Sequence, residues 1–340
     1  MTKVVLEGGK EILIRDIQDD FSFLELIDRV DTFPLDYSHN IHFQQNVYSV
    51  KAHHGEDVGF VLKSVVQKML QLADVEFNAV FDIQRGDRQS ICFKSHTFET
   101  RNDNLNALAT KLRAQNAFEC LLGWRNEFYS VYCNRKPYVL VERAFSGLLG
   151  IITYGVHVNG YTRDPVSGIV KIWVPRRSAT KATWPSMLDN IVAGGLGYPH
   201  GVYETVVKES LEEANLPQEF IESRIRPVGA VSYFYFQGNI EEDKFQTEES
   251  LITGEVEYLY DLELPPEVIP HPNDDEVESF KLMTLQETID ALKSFEFKPN
   301  CALVMLEFLI RHGYIHSENE PNLLEIMNRI HRSLPFPVRS

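Results

Sequence analysis

Three glutamates, Glu209, Glu212 and Glu213, stand close together in KESLEEANL, a segment rich in good helix formers. At about 100° per residue they fall within an arc of roughly 100°, so a helix carries all three on one side. Like charges this close raise one another's pKa unless a cation sits among them, and a hard, oxygen-seeking ion is the natural guest. A plain solvated acidic face is the competing reading of KESLEE by itself. Val206, Val207, Leu211 and Ala214, with Tyr203, form the neighbouring apolar stripe. That pattern predicts a helix that buries one flank and turns the three acids to solvent. Upstream, Gly194, Gly195, Gly197, Pro199 and Gly201 make a loop running into the helix, with Asp189 and Asn190 before it.

The loop and helix together resemble the Nudix box, whose pattern is Gly, five residues, Glu, seven residues, then Arg-Glu-apolar-x-Glu-Glu-x-Gly-apolar. Gly194 takes the glycine position, Lys208 the arginine, Glu209 the next acid, Glu212 and Glu213 the acidic pair, and Leu216 the closing apolar residue. His200 stands where the first Glu belongs, Asn215 replaces the final Gly, and Ser210 is more polar than the pattern. The first Glu and the Arg of the box form a structural ion pair, and Glu204, four residues before Lys208, can serve as a replacement partner. Asn is the residue that best mimics Gly in a left-handed helix cap.

The resemblance extends to GWRNEFYSVY, ERAFSGLLGIITYGVHVNGY and KIWVPRRSATKATWPSMLDNIVAGG upstream, and to GAVSYFYF, HPNDDEVESF and FKPNCALVMLEFLIRHGYI downstream. Together these segments look like the thiamine pyrophosphokinase-related branch of Nudix proteins found in fungi and plants, and the match covers most of the chain from about Phe93 onward. The fold this resemblance implies is the Nudix α/β/α sandwich, here with an N-terminal α+β domain (1–119), the Nudix domain (120–296) and a C-terminal helical extension (297–340). The implied activity is a Mg²⁺-dependent diphosphatase, with Mn²⁺ as a substitute ion, acting on thiamin diphosphate analogues, especially damaged oxo and oxy forms. Hydrolysis of another small organic or nucleotide diphosphate is the alternative within the family, and a non-catalytic ligand-binding protein the alternative outside it.

Within that frame Glu209 and Glu213, one turn apart, are the primary metal ligands, with Glu212 beside them. Glu276 in NDDEVESF is a further ligand or a general base, and Asp274, Asp275 and Glu278 are its alternatives. Attack of water on the terminal phosphorus then yields the monophosphate and phosphate. Arg125, Arg176, Arg177 and Lys181 are candidate cations for the substrate's diphosphate. The run Tyr233 to Phe236 alternates faces along a strand, so one pair is buried and the other, with Trp184, offers a stacking wall for a heterocycle; plain core packing is the alternative. His200 is the one histidine placed near the site by sequence, as a phosphate contact.

Composition agrees with this frame. The chain has 340 residues, enough for two domains, and 44% hydrophobic content. Acids outnumber bases 49 to 33, a formal charge of -16 that argues against a nucleic-acid partner. Cys92, Cys120, Cys133 and Cys301 lack metal-finger spacing and read as reduced thiols. No apolar run reaches membrane-spanning length and the N-terminus lacks a signal pattern, so a cytoplasmic monomer or homodimer is expected. Helices are predicted over 20–30, through Leu72, and over 104–115, 284–294, 302–311 and 323–332. Strands are predicted over 47–50, 77–83 and 90–94, with the apolar run beginning at Val58 as the helix that ends at Leu72 and with Gly86 and Asp87 in a hairpin turn. Further strands are predicted in YGVHVNGYT and IVKIWVP around a turn at 164–168 and in VGAVSYFYF and EVEYLYDLEL. The charged stretch 241–250 reads as a solvated loop.

Overall fold

The computed structural model describes residues 2–16, 19–86, 88–236, 245 and 251–339. Ile152–Arg163 is buried on both faces along nearly its whole length, which makes it the central strand of a mixed sheet. In order, that sheet runs Arg226–Phe236, Ile252–Glu263, Ile152–Arg163, Val170–Arg177 and Val277–Thr284. The central strand is parallel to Ile252–Glu263 and antiparallel to its other neighbours. On that second edge its partner changes. Val170–Arg177 pairs from Arg163 back to Gly160, and the short strand Val192–Gly195 then takes over from Val158 to Gly155. The sheet thus opens where the glycine-rich segment enters.

Helices cover both faces, as the sandwich implied by resemblance requires. On one face Val202–Ala214 and Gln218–Arg224 pack through Val206, Ala214, Leu216 and Ile221 onto Val156, Val158 and Leu262. On the other lies Pro299–Arg311, whose apolar residues are nearly all buried, together with Leu285–Lys293 and Leu323–Arg329.

The N-terminal region forms a second sheet in the order Asp57–Leu62, Val47–Lys51, Ser90–Phe93 and Phe81–Gln84. Helices Lys63–Leu72, Asp74–Val80 and Phe98–Ala114 cover it. The apolar run at Val58 therefore begins as a strand, because it pairs with Val47–Lys51 before the chain turns helical. Phe77 lies in a helix, and of the helix expected over 20–30 only Leu24–Ile27 is helical. The hairpin Phe128–Cys133 and Lys136–Glu142 contributes Val131, Tyr138 and Val139 to the core of the N-terminal sheet. Leu13, Phe23, Leu26 and Ile27 instead join the core of the C-terminal helices. The stretch 241–250 lies outside the described residues except Phe245, which is buried against Phe43 and Phe236 rather than solvated. Asp87, expected in a hairpin turn, is also outside them.

Candidate active site

The helix Val202–Ala214 starts at Gly201, whose N–H donates to Glu204 Oε2 at 3.1 Å. It ends at Asn215, which adopts φ 54° and ψ 36°, the left-handed cap that its residue type allows. Glu204 is not the partner of Lys208. Capping draws it to the first turn, where it faces His200 at 3.3 Å, and Lys208 Nζ instead lies 3.0 Å from Glu209 and 2.8 Å from Glu212.

The three acids differ in setting. Glu212 is half exposed, and Glu209 is mostly buried beside Gly194. A Cβ at position 194 would lie 2.4 Å from Glu209 Cγ, so only glycine lets the strand and the helix approach this closely. Glu213 corrects the expectation of three solvent-facing acids. It is 8% exposed and accepts a hydrogen bond from Ala193 N–H at 2.8 Å, because the loop folds back over the helix as the strand Val192–Gly195. Burial pushes the Glu213 carboxyl well above the ordinary carboxylate range, and Asp189, Glu209 and Glu276 push it further. Glu209 is raised too, by burial, against the pull of Lys208. Leu211 and Tyr203 also depart from expectation, standing 46% and 44% exposed while Val206 and Ala214 alone of the stripe are fully buried.

Glu209 and Glu212 line a cavity of about 280 Å³ together with Glu276, Asp274, Lys181, Arg125, Arg177 and Arg143. Lys181 Nζ is 2.6 Å and Arg125 Nη1 3.6 Å from Glu276. Burial raises the Glu276 pKa, but the Lys181 hydrogen bond and the charges of Lys181, Arg125 and Arg143 outweigh it and hold the carboxyl below its usual value. A second cavity of about 290 Å³ is lined by Trp184, Tyr233, Tyr235, Arg29 and Thr253, and it shares Arg143, Thr183, Glu255, Lys298 and Asn300 with the first. Tyr233 and Tyr235 face it, while Phe234 and Phe236 turn into the core.

Two sequence candidates lie elsewhere. His200 lines a different cavity, beside Tyr132, Pro199 and Arg339, because its loop turns away from the carboxylates toward the hairpin at 128–142. Arg176 points along the opposite side of its strand from Arg177, donating to Ser186 O at 2.6 Å and lying 3.9 Å from Glu296. Sequence reading missed Glu127, Arg143, Glu255, Glu257, His157 and Lys298. Glu255 and Glu257 carried a signal, two acids spaced by two on a strand whose other face is apolar.

Beneath the cavity lies a buried polar layer. His157 Nδ1 donates to Asn190 Oδ1 at 2.8 Å, and its Nε2 is 3.5 Å from Glu257. Although burial favours the neutral ring, the charge of Glu257 raises the imidazole pKa well above its ordinary value. Asp189 accepts from Arg177 and from the Cys301 thiol, both at 2.7 Å. These bonds fix the residues that precede the glycine loop.

Residues 154–301 match the model of the NUDIX domain, and residues 27–153 match that of a domain of unknown function, DUF4743. The chain is similar to the Saccharomyces cerevisiae protein described as uncharacterized protein YJR142W, 55% identical over 333 residues, 97% of this chain and 97% of that protein. It is also similar to Nudix hydrolase 20, chloroplastic, of Arabidopsis thaliana, 38% identical over 67% of this chain and 58% of the plant protein, so it spans a little over half of that relative's length. Among solved structures, the Deinococcus radiodurans protein DR0079 is 22% identical over 48% of this chain and 83% of that one, with a TM-score of 0.34.

Proposed function

We propose that this chain, whose residues 154–301 match the NUDIX domain, is a Nudix hydrolase that removes the terminal phosphate of thiamin diphosphate analogues of the oxo and oxy type. The products are the monophosphate and inorganic phosphate. One observation carries the reading: a cavity of carboxylates and cations shares a wall with a cavity lined by Trp184, Tyr233 and Tyr235. The first suits a diphosphate, the second a flat heterocycle.

Glu209, Glu212 and Glu213 present oxygen donors only, and burial with neighbouring carboxylates disfavours the charged forms of Glu209 and Glu213, a penalty that a divalent cation relieves. This donor set fits Mg²⁺, or Mn²⁺ in its place. Glu209 and Glu212 would hold the ion, which when bound screens phosphate charge and acidifies water. Glu213 is not among the residues that line the cavity; with its Oε2 engaged by Ala193 N–H, Oε1 is the atom we assign to take the proton of the attacking water. Burial raises its basicity above that of an ordinary carboxylate, the direction a general base needs. Glu276 is ionised and ion-paired, so its part is to hold Lys181 and Arg125 toward the terminal phosphate. Arg143, common to both cavities, is placed to bind the inner phosphate.

The test is phosphate release from thiamin diphosphate, oxothiamin diphosphate, oxythiamin diphosphate and ADP-ribose, with Mg²⁺ and with EDTA, by the wild type and Glu213→Gln. The expected result is metal-dependent release favouring the oxo and oxy analogues, reduced roughly 100-fold or more in the variant. Release from ADP-ribose alone would keep the chemistry and reject the substrate. No release from any of the four would reject both.

A further inference from the structure

The turn between Val47–Lys51 and Asp57–Leu62 is closed by two backbone bonds at 2.8 Å, Ala52 N–H to Glu56 O and Gly55 N–H to Ala52 O, with Gly55 at φ 95°. His53 anchors it from within: its ring stacks on Tyr138 at 5.7 Å, and its N–H donates to the Tyr138 hydroxyl at 2.9 Å. Anchoring of this kind holds His54 and Glu56 over Cys133, the last residue of Phe128–Cys133 on a neighbouring hairpin. His54 Nε2 is 3.4 Å from Glu56 Oε2, and the ligand atoms of His54, Glu56 and Cys133 all lie within 4.8 Å of one another. None of the three lines the carboxylate cavity.

An imidazole, a carboxylate and a thiol are the donor types of a tetrahedral site for a borderline transition ion, and a thiolate is a poor ligand for Mg²⁺. Bonds of ~2.0–2.3 Å to such an ion place ligand atoms about 3.5 Å apart. The His54 and Glu56 side chains are a third or more exposed, with room to turn toward the buried Cys133. We propose that His54, Glu56 and Cys133 form a second metal site, independent of the carboxylate cavity, that takes a borderline divalent ion such as Zn²⁺ with solvent in the fourth position.

The surroundings agree with this assignment. Binding an ion there displaces the Cys133 thiol proton and leaves a thiolate neutralised in place. His53 and His96, with rings 4.8 Å apart, stand next to the cluster.

The test uses the full-length protein, stripped with EDTA and titrated with Co²⁺ in excess Mg²⁺, and reads the thiolate-to-cobalt charge-transfer band in the near ultraviolet. The proposal expects a band saturating at one equivalent, absent in Cys133→Ser and intact in Glu213→Gln. In His54→Ala, a change on an exposed turn that leaves the fold alone, affinity should fall at least the roughly tenfold that loss of even an outer partner costs. No band in the folded wild type would overturn the proposal. So would a band that persists in Cys133→Ser, that keeps its affinity in His54→Ala, or that disappears in Glu213→Gln.

Discussion

Glu255 sits where the two cavities meet, accepting a short hydrogen bond from the Tyr233 hydroxyl and lying in a strand with Glu257 two residues on. Burial and the charge of Glu257 push its carboxyl up to about 7, against the pull of Lys298 and His157. A group titrating near neutrality at this junction can present either a donor or an acceptor to a substituent on the bound ring. It also has a consequence for stability. An acid whose pKa is raised in the fold holds its proton where the unfolded chain has already lost it. Between about 4.5, the ordinary value, and about 7 the native state therefore binds more protons, so stability falls as pH rises through that window and levels off above it. Glu255→Gln should flatten the dependence of Tm on pH between these limits and leave the variant more stable than the wild type at pH 8. Thermal melts of the two proteins across pH 4.5 to 8 check this, and parallel profiles would refute it.

At the scale of the element, the helix Val202–Ala214 shows what can and cannot be read from a sequence. Spacing alone located it, and the residue type at 215 told how it ends: Asn215 takes the left-handed conformation, its N–H returning to Leu211 O at 3.2 Å and that of Leu216 to Ser210 O at 3.0 Å. Asn215→Ala should therefore destabilise the protein by about 1 kcal/mol, the cost of a Cβ in this region without a compensating local hydrogen bond, whereas Asn215→Gly should match or exceed the wild type. Denaturant midpoints for the three proteins decide it, and equal stability of the alanine and glycine variants would count against the account. The burial of Glu213 was not legible, because it depends on the loop returning as the strand Val192–Gly195 over the helix, a tertiary event with no local pattern. His200 was misplaced for the same reason: its position in the box is a matter of counting, but the direction of its loop is set by Tyr198 N–H bonding to Phe128 O at 2.7 Å in another part of the chain. The alternating strand Arg226–Phe236 was legible, since period two by itself puts Tyr233 and Tyr235 on one face and Phe234 and Phe236 on the other.

Across the whole molecule the candidate site draws on both matched regions. Arg125, Glu127, Tyr129 and Arg143 precede residue 154 and line the same cavity as Glu209 and Glu212, so the N-terminal region supplies one wall of it. The chain ties its ends together to hold that arrangement. Asp31, buried near the N-terminus, accepts from Arg332 Nη1 at 2.8 Å, from Arg329 Nε at 3.2 Å and from Phe234 N–H at 3.2 Å. One carboxylate thus joins the N-terminal segment, an edge strand of the main sheet and the C-terminal tail, and beyond it Phe336 reaches the core of the N-terminal sheet. Removing one member of a buried ion pair leaves the other charge uncompensated, at a cost of about 3–5 kcal/mol. Asp31→Ala strands Arg332, itself buried, together with the edge-strand amide, so the loss should fall in that range. It should appear as a lowered thermal or urea midpoint and as faster proteolysis after residue 329. Asp31 lines neither cavity of the candidate site, so phosphate release per folded molecule should stay at the wild-type level at low temperature. A midpoint equal to the wild type's would show that the tail is held by its apolar contacts, with Phe336 rather than Asp31 as the anchor.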